Sequence, residues 1–347
     1  MSSGEHLQKL AERVGKGDSI AMGKILACAM TDDEAAFILE LPAEAEDLAA
    51  KVGSSAAVVE EKVRGLARRG LLVSSRKGMR FPFDPATLHD SILSSPPELV
   101  PAGMDRLWME LYENEGWATE IGTVLSGLPM PVLRTIPIHD SMPAGVHLLP
   151  HESVLAIIDA HKDLITIRNC CCRVGAKKCD HPTQVCMQFG ERAEYDLYRG
   201  SGRKVSAEEA VAIAAQAGGT GLVPTVSNTA QMDGLDFICF CCGCCCLVIN
   251  PGRRVGAVQN ILAPSRFVST VDAAACNGCG ECAECCSVEA IETDALAATV
   301  VVNREQCLGC GACVLACPID GAMTMEAVRP PEFIPQTNFG PTSILHM

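Results

Sequence analysis

Two cysteine runs near the C-terminus share one spacing, and that spacing predicts iron–sulfur chemistry. Both read C-x2-C-x2-C-x3-C, and the second is followed by Pro318. The eight cysteines are Cys276, Cys279, Cys282, Cys286, Cys307, Cys310, Cys313 and Cys317. This spacing holds pairs of [4Fe–4S] clusters, in which the fourth cysteine of each run ligates the other cluster. Two [4Fe–4S] clusters are therefore the first cofactors that the sequence predicts, and electron transfer is the first function.

The crossed pattern assigns each cysteine to a cluster. Cluster I takes the first three cysteines of the first run and the last of the second: Cys276, Cys279, Cys282 and Cys317. Cluster II takes the first three of the second run and the last of the first: Cys307, Cys310, Cys313 and Cys286. Cys285 is an additional thiol, which we interpret as a small buried side chain rather than a ligand. Glycines within both runs let backbone N–H groups approach the cluster sulfur.

Residues 264–328 carry the elements that must position these ligands. We expect Arg266 to Asp272 to form a first strand that pairs antiparallel with a last strand, Ala322 to Ala327. Ala290 to Thr293 and Thr299 to Asn303 should form a central hairpin. Short helices after Cys282 and Cys313 should present the fourth cysteine of each run. The segment therefore predicts a ferredoxin-like domain of the bacterial two-cluster type.

Eleven further cysteines lie upstream in two short runs and predict an additional metal site. The runs comprise Cys170, Cys171, Cys172, Cys179 and Cys186, then Cys239, Cys241, Cys242, Cys244, Cys245 and Cys246. A further iron–sulfur centre is the leading interpretation, and zinc is the alternative. The candidate ligands are Cys170, Cys172, Cys179, Cys186, Cys239, Cys242 and Cys245, shared between one or two centres. Side chains alternate along an extended chain, so we expect that not every member of a CCC run faces one cluster.

Composition places the chain among soluble proteins of a reducing compartment. Its 21 cysteines occur without an apolar leader, and adjacent thiols favour metal binding over disulfides. We expect a cytoplasmic location and no membrane insertion, since the apolar run from Phe237 to Asn250 is too short to span a bilayer. The net charge of −14 disfavours nucleic-acid binding and favours a redox protein partner with a basic docking surface. The oligomeric state stays open.

The N-terminal residues predict a small helical module. Helices on either side of Gly53-Ser54-Ser55, followed by two short β segments around Ser74 to Gly78, are typical of a winged helix. Positive charge on the second helix comes from Lys62, Arg64, Arg68 and Arg69. These residues are compatible with DNA contact or with a solvated face on a protein-docking module.

The chain as a whole is predicted to be an α+β protein of several domains. The predicted divisions are a winged-helix-like module (1–85), a cysteine-rich mixed α/β domain (86–263), a two-cluster ferredoxin domain (264–328) and a C-terminal tail (329–347). The middle domain should include helices at Met104 to Glu115, Val154 to Ala160 and Ser206 to Ala217, the last opened by a capping box.

The order of these motifs is similar to that of a known family. LRTIPIHDSMP, HESV, RNCCCR, KKCDHPTQVC, GLVPTVSN and CFCCGCCC, followed by the paired cysteine runs, resemble large 4Fe-4S ferredoxin-domain proteins of anaerobic bacteria and archaea. The resemblance covers nearly the whole chain and implies iron–sulfur binding and electron transfer, without a substrate. Cys171 lies where the resemblance implies a residue other than cysteine between two ligands, and Pro224 where it implies histidine.

Three functions are consistent with the sequence. The first is an electron carrier, or electron-input subunit, that passes single electrons through two [4Fe–4S] clusters and a further centre to an anaerobic redox partner. The second is an iron–sulfur oxidoreductase with its active centre at the middle cysteines. The third is a redox-sensing regulator that uses the winged helix as output. Nucleotide-binding and haem motifs are missing from the sequence, and whether the chain is an enzyme stays open.

Overall fold

A computed structural model describes residues 4–336 as sixteen α-helices and eleven strands. The helices are α1 (Glu5–Arg13), α2 (Ile20–Ala29), α3 (Asp32–Leu39), α4 (Ala45–Val52), α5 (Ala56–Arg68), α6 (Pro85–Leu93), α7 (Met104–Met109), α8 (Trp117–Ser126), α9 (Val154–Ala160), α10 (Cys171–Ala176), α11 (Gly190–Arg199), α12 (Ala207–Gly219), α13 (Ile249–Arg254), α14 (Val258–Ile261), α15 (Glu281–Glu284) and α16 (Ala312–Ala316). The strands are β1 (Leu133–Thr135), β2 (Ile165–Asn169), β3 (Gln184–Phe189), β4 (Gly202–Val205), β5 (Val223–Ser227), β6 (Phe237–Cys241), β7 (Leu262–Ala263), β8 (Phe267–Val271), β9 (Ile291–Asp294), β10 (Thr299–Val302) and β11 (Met323–Ala327). Helices and sheets thus occur together, as predicted for an α+β protein.

The N-terminal helices form a layer with its own apolar core. Thr31 caps α3 by accepting a hydrogen bond from the Glu34 amide, while the Glu34 carboxylate accepts one from the Thr31 amide. The Ser55 hydroxyl caps α5 by accepting a single hydrogen bond from the Val58 amide, at the turn that separates α5 from α4. The predicted wing consists of one antiparallel bridge, between Val73 and Arg80.

Helices α6, α7 and α8 pack into the same core as α1–α5. Buried side chains from Leu10 to Ala118 in the sequence belong to one continuous apolar cluster. Helix α7 continues into a π-helical turn, Glu110–Asn114, so the helix predicted from Met104 to Glu115 changes its hydrogen-bonding pattern midway. Against this layer packs α10, the helix that begins with the first cysteine run.

A seven-stranded sheet forms the middle of the molecule, in the order β4-β2-β3-β6-β5-β1-β7. All neighbours are antiparallel except β1 and β7. Helices α9 and α12 cover one face, where they pack on Ile238 and Phe240 of β6. Phe237 and Cys241 of the same strand face the opposite side, where they meet residues of the cysteine-rich C-terminal segment.

The C-terminal segment forms the predicted ferredoxin-like arrangement. Strand β8 pairs antiparallel with β11, and β9 with β10, which confirms both predicted strand pairings. The two short helices differ from the prediction, because α15 contains Cys282 and α16 contains Cys313 instead of following them. Cys317 directly follows α16, and Cys286 lies two residues beyond α15, so both fourth cysteines still follow a helix.

Buried polar contacts fasten this segment to the sheet. The Arg266 guanidinium donates to both Glu152 carboxylate oxygens, at 2.8 and 2.9 Å. The Ile138 amide also donates to the Cys310 carbonyl, at 2.9 Å. Of the predicted tail, 329–336 is described and its Pro335 carbonyl accepts from the Ala230 amide, whereas 337–347 lie outside the described residues. Among residues 4–336, no helix combines the length and the apolar character needed to cross a bilayer.

Candidate metal centres

Glycine shapes the two loops that carry the C-terminal cysteines. Gly278 and Gly309 have φ values of +69° and +66°, in the left-handed region that a side chain disfavours. The Gly278 amide donates to the Cys276 Sγ and the Gly309 amide to the Cys307 Sγ, each at 3.4 Å. A Cβ at Gly309 would also clash with the Phe267 carbonyl, so only glycine fits where the loop approaches β8. These amides stabilise negative charge on sulfur, as an iron–sulfur ligand requires.

The cysteines predicted for cluster I gather at the outer end of the segment. Burial raises the pKa of Cys282, and the neighbouring thiols of Cys317 and Cys279 act on it as well. Cys279 is exposed, and Cys276 is half-buried. The thiols of both runs therefore meet here, at the molecular surface.

The cysteines predicted for cluster II line a cavity inside the molecule. Its walls include Cys286, Cys307, Cys310 and Cys313. Burial raises the pKa of Cys310 well above its usual range, and the other three are its neighbouring thiols. A cavity walled by thiols, with donating amides at its edge, fits a bound iron–sulfur cluster.

Cys285 differs from its neighbour Cys286. Cys286 lines the cluster II cavity, whereas the Cys285 Sγ donates to the Cys282 carbonyl at 3.4 Å. The non-ligand role of Cys285 stays a prediction.

The eleven upstream cysteines divide into two groups. The four-thiol group comprises Cys179, Cys242, Cys244 and Cys245, whose Sγ atoms all lie within 4.8 Å of one another. The seven-thiol group comprises Cys170, Cys171, Cys172, Cys186, Cys239, Cys241 and Cys246, whose thiols lie close enough to shift one another's pKa. Of the predicted ligands, Cys179, Cys242 and Cys245 thus lie in the first group, and Cys170, Cys172, Cys186 and Cys239 in the second.

The seven-thiol group joins a helix start to two strands. The Sγ atoms of Cys171 and Cys172 are 3.8 Å apart, and the Cys170 and Cys246 thiols also raise the pKa of Cys172. The thiols of Cys239 and Cys246 raise the pKa of Cys241, and the Cys186 thiol on the neighbouring strand β3 lowers the pKa of Cys239. Neighbouring thiols therefore extend from α10 across β6 to β3.

The expectation that the members of a CCC run diverge is wrong for the first run. Cys170 precedes α10, and Cys171 and Cys172 occupy its first turn, so the chain is helical there rather than extended. Strand alternation therefore does not apply to these three thiols. The second CCC run follows the expectation, because Cys244 and Cys245 lie in the four-thiol group and Cys246 does not.

Three cysteines of the second run were missed as candidate ligands: Cys241, Cys244 and Cys246. Alternation along β6 could have identified Cys241, since it lies on the same strand face as Cys239. Cys244 and Cys246 lie in the turn beyond the strand, where the strand period no longer applies.

Two buried arginines offset the negative charge of these thiols. Arg173 is 3% exposed and donates to the Phe240 carbonyl at 2.8 Å, with the Cys242 Sγ at 3.9 Å from the same nitrogen. Burial tends to lower its pKa, but the thiolates of Cys170 and Cys242, one from each group, raise it. Arg168 is held by Asp90 at 2.9 Å and lies near Cys186.

An aromatic cavity borders both groups. Its walls include His89, Trp108, Tyr112 and Trp117 beside Cys172 and Cys244. Burial lowers the pKa of His89 to about 4, so its imidazole is neutral at pH 7. Within residues 4–336, His89 Nδ1 and Trp108 Nε1 are buried without a hydrogen-bond partner. Two side chains that line this cavity thus each bury an unpaired polar atom.

Comparison with known proteins identifies one segment of the chain. Residues 269–318 match the family model of the 4Fe-4S dicluster domain. No curated protein matches the chain. No solved structure matches it either. The chain therefore contains an iron–sulfur ferredoxin-like domain at its C-terminal end.

Proposed function

We propose that this protein carries single electrons between two [4Fe–4S] clusters in its C-terminal domain and a further centre at the seven-thiol group. The observation that carries the proposal is the cavity lined by Cys286 together with three cysteines of the second run. Joining ligands from both runs is the arrangement that a two-cluster domain needs. When bound, each cluster supplies one-electron redox chemistry.

The ligand assignment follows the neighbourhoods of the thiols. Cluster I is held by Cys276, Cys279, Cys282 and Cys317, and cluster II by Cys307, Cys310, Cys313 and Cys286. The grouping of Cys282 with Cys279 and Cys317, and of Cys310 with the other three, supports this division.

The seven-thiol group adjoins the cluster II cysteines. Cys241 and Cys246 pack in one apolar core with Cys307, and Cys286 and Cys310 contact the same core. A Cβ at Gly243, in the cysteine turn, would clash with the Ser287 carbonyl, so the two backbones are in direct contact. This continuity supports a path from the surface thiol of Cys279 through the cluster II cavity to the sheet.

The exposed end of the domain is the proposed docking surface for a redox protein. Glu281, Glu284 and Glu292 are exposed near Cys279, and the chain carries a net charge of −14. A partner with a basic surface would therefore be attracted to the end where cluster I lies closest to solvent. We place this chemistry in a reducing, cytoplasmic environment, where free thiols persist.

A matched pair of variants tests the crossed ligation. Cys286→Ser removes a proposed cluster II ligand, whereas Cys285→Ser removes the adjacent thiol. In anaerobically purified protein, Cys286→Ser should contain about four irons and four sulfides fewer than wild type, or one of its EPR signals should differ from that of wild type. Cys285→Ser should match wild type. Equal iron and sulfide content in wild type and Cys286→Ser, with unchanged EPR spectra, would overturn the assignment.

A second candidate function is an oxidoreductase whose active centre is the seven-thiol group. The aromatic cavity favours it, because His89 and Trp108 offer unpartnered polar atoms beside Cys172 within the described residues. Cyanide is a suitable probe, since it binds an iron with an open position. A cyanide-induced change in the EPR spectrum of the reduced protein would favour the enzyme, and an unchanged spectrum the carrier.

The regulator alternative is disfavoured by the contacts of α5. Arg69 is paired with the Glu34 carboxylate, and the Lys62 ammonium lies 4.2 Å from the centre of the Phe37 ring. Arg64 lies over the Tyr198 ring. Three of the four basic side chains that were compatible with DNA contact therefore interact within the protein.

A further inference from the structure

The four-thiol group is assembled from two segments that are distant in sequence. Cys179 lies in the loop after α10, while Cys242, Cys244 and Cys245 lie where β6 ends. Ion pairs hold the Cys179 loop on the helical layer: Lys177 with Asp105 at 2.6 Å, and Lys178 with Glu113 at 2.7 Å. The loop is thus positioned independently of its cysteine.

The separations of the sulfur atoms match a single tetrahedral ion. Cys179 Sγ lies 3.7 Å from that of Cys245 and 3.9 Å from that of Cys242, and the Sγ atoms of Cys244 and Cys245 are 3.7 Å apart. A tetrahedron with metal–sulfur bonds of about 2.3 Å has edges of about 3.8 Å. A disulfide needs sulfurs about 2.05 Å apart, so these thiols are not paired covalently. A [4Fe–4S] cluster binds each ligand to a different iron, which spreads the sulfurs further.

The surroundings suit the charge of such a site. Four thiolates around a divalent ion carry a net charge of about −2. The Arg173 guanidinium approaches the Cys242 Sγ to 3.9 Å. Its Nη2 is buried with no hydrogen-bond partner among residues 4–336. Positive charge is thus already positioned beside the sulfurs.

The four-thiol group packs apart from the cluster II cavity. Cys242 and Cys245 lie in the core beneath α9 and α12, whereas Cys241 and Cys246 lie in the core shared with Cys307. Cys241 and Cys242 are therefore consecutive in sequence but lie on opposite sides of the sheet.

We propose that Cys179, Cys242, Cys244 and Cys245 bind one tetrahedral metal ion, zinc or iron, without bridging sulfide. Because all four positions are filled by protein ligands, the site is closed to substrate and its role is structural. It fastens the loop after α10 to the turn after β6, and thereby fixes the ends of both segments that carry the seven-thiol group.

The first test uses anaerobically purified wild-type protein. Zinc, iron and acid-labile sulfide are counted per chain, and zinc K-edge EXAFS should show about four sulfurs at about 2.3 Å. If iron occupies the site, the Mössbauer spectrum should instead show one mononuclear iron per chain. The iron count should then exceed the sulfide count by one. Absence of both signatures overturns the proposal. The two ferredoxin clusters are counted separately by their sulfide, so their loss and the loss of this site give different results.

The second test compares two cysteine variants. Cys179→Ser should lose about one metal ion and no sulfide, while Cys28→Ser, which changes an exposed thiol on α2, should match wild type. Loss of iron and sulfide in equal numbers would show that Cys179 ligates a polynuclear cluster, and an unchanged metal content would show that it ligates nothing. Either result overturns the proposal. If Cys179→Ser does not fold, the wild-type spectra still decide it.

Discussion

Glu152→Gln should strongly destabilise the attachment of the ferredoxin-like domain to the sheet. Glu152 is 1% exposed and Arg266 8% exposed, and their two hydrogen bonds of 2.8 and 2.9 Å make the pair bidentate. The neutral glutamine keeps the shape and leaves the guanidinium without its counter-charge. Arg134 is affected too, because burial lowers its pKa to about 10 and Glu152 opposes that shift. One substitution thus leaves two buried cations uncompensated.

The size of the effect follows from the burial of the pair. Two unit charges about 4 Å apart interact by about 4 kcal/mol at an effective dielectric of about 20. Removing one partner of a buried pair typically costs about 3–5 kcal/mol. A domain has only about 5–15 kcal/mol of total stability, so the loss should be obvious.

Anaerobic guanidinium unfolding, followed by circular dichroism and by cluster absorbance, measures this loss. Glu326→Gln is the matched control, because the Arg304–Glu326 pair has side chains 51% and 54% exposed and should contribute less than about 1 kcal/mol. The double variant Glu152→Gln with Arg266→Met should recover part of the stability, since it removes one stranded charge. A Glu152→Gln protein within about 1 kcal/mol of wild type would refute the reasoning.

Two further predictions concern the helical layer and the cysteine turn. Gly243→Ala should lower the free energy of unfolding by about 1–3 kcal/mol and perturb the EPR signal of the seven-thiol centre, because the new Cβ would meet the Ser287 backbone. Gly65→Ala is the control, since a Cβ there meets open space. Equal unfolding midpoints for the two variants would contradict the close contact. Burial lowers the pKa of His89 from an ordinary 6.5 to about 4, with Asp90 opposing, so the neutral ring stabilises the fold above pH 6.5 and this contribution is lost as the pH falls towards 4. Between pH 6.5 and 4 the free energy of unfolding should fall by about 3 kcal/mol from this residue. Unfolding experiments on His89→Phe over the same pH range should lack that fall. A pH profile identical to that of wild type would show that His89 does not contribute.

The sequence predicted best where spacing alone determines structure. The strand pairings β8–β11 and β9–β10 were predicted because turn and ligand residues delimit every element of the cysteine-rich segment. The side chains of Thr31 and Ser55 likewise cap α3 and α5 by accepting hydrogen bonds from amides three residues later, so these contacts are local in sequence. At Ser206 the side chain caps α12 through the Glu209 amide, as half of the predicted capping box.

The middle domain could not be predicted in the same way, because its contacts are not local. The order of the seven strands places β3 beside β6, which brings Cys186 to Cys239 across more than fifty residues of chain. No spacing rule encodes that pairing. The four-thiol group likewise needs the Cys179 loop to return to the end of β6, a contact set by ion pairs with Asp105 and Glu113 on the helical layer.

The alternation of side chains along β6 explains why so many cysteines occur in so few residues. Cys239 and Cys241 point to the side of the sheet that meets the ferredoxin-like domain, and Phe240 points to the other. Beyond the strand, the turn sends Cys242 and Cys245 to that other side and returns Cys246 to the first. A single short run can therefore serve two centres of different chemistry, provided that its backbone is held rigidly. The Gly243 contact with Ser287 and the proposed closed ion at the four-thiol group both act on that backbone, so the structural centre and the electron path depend on the same turn.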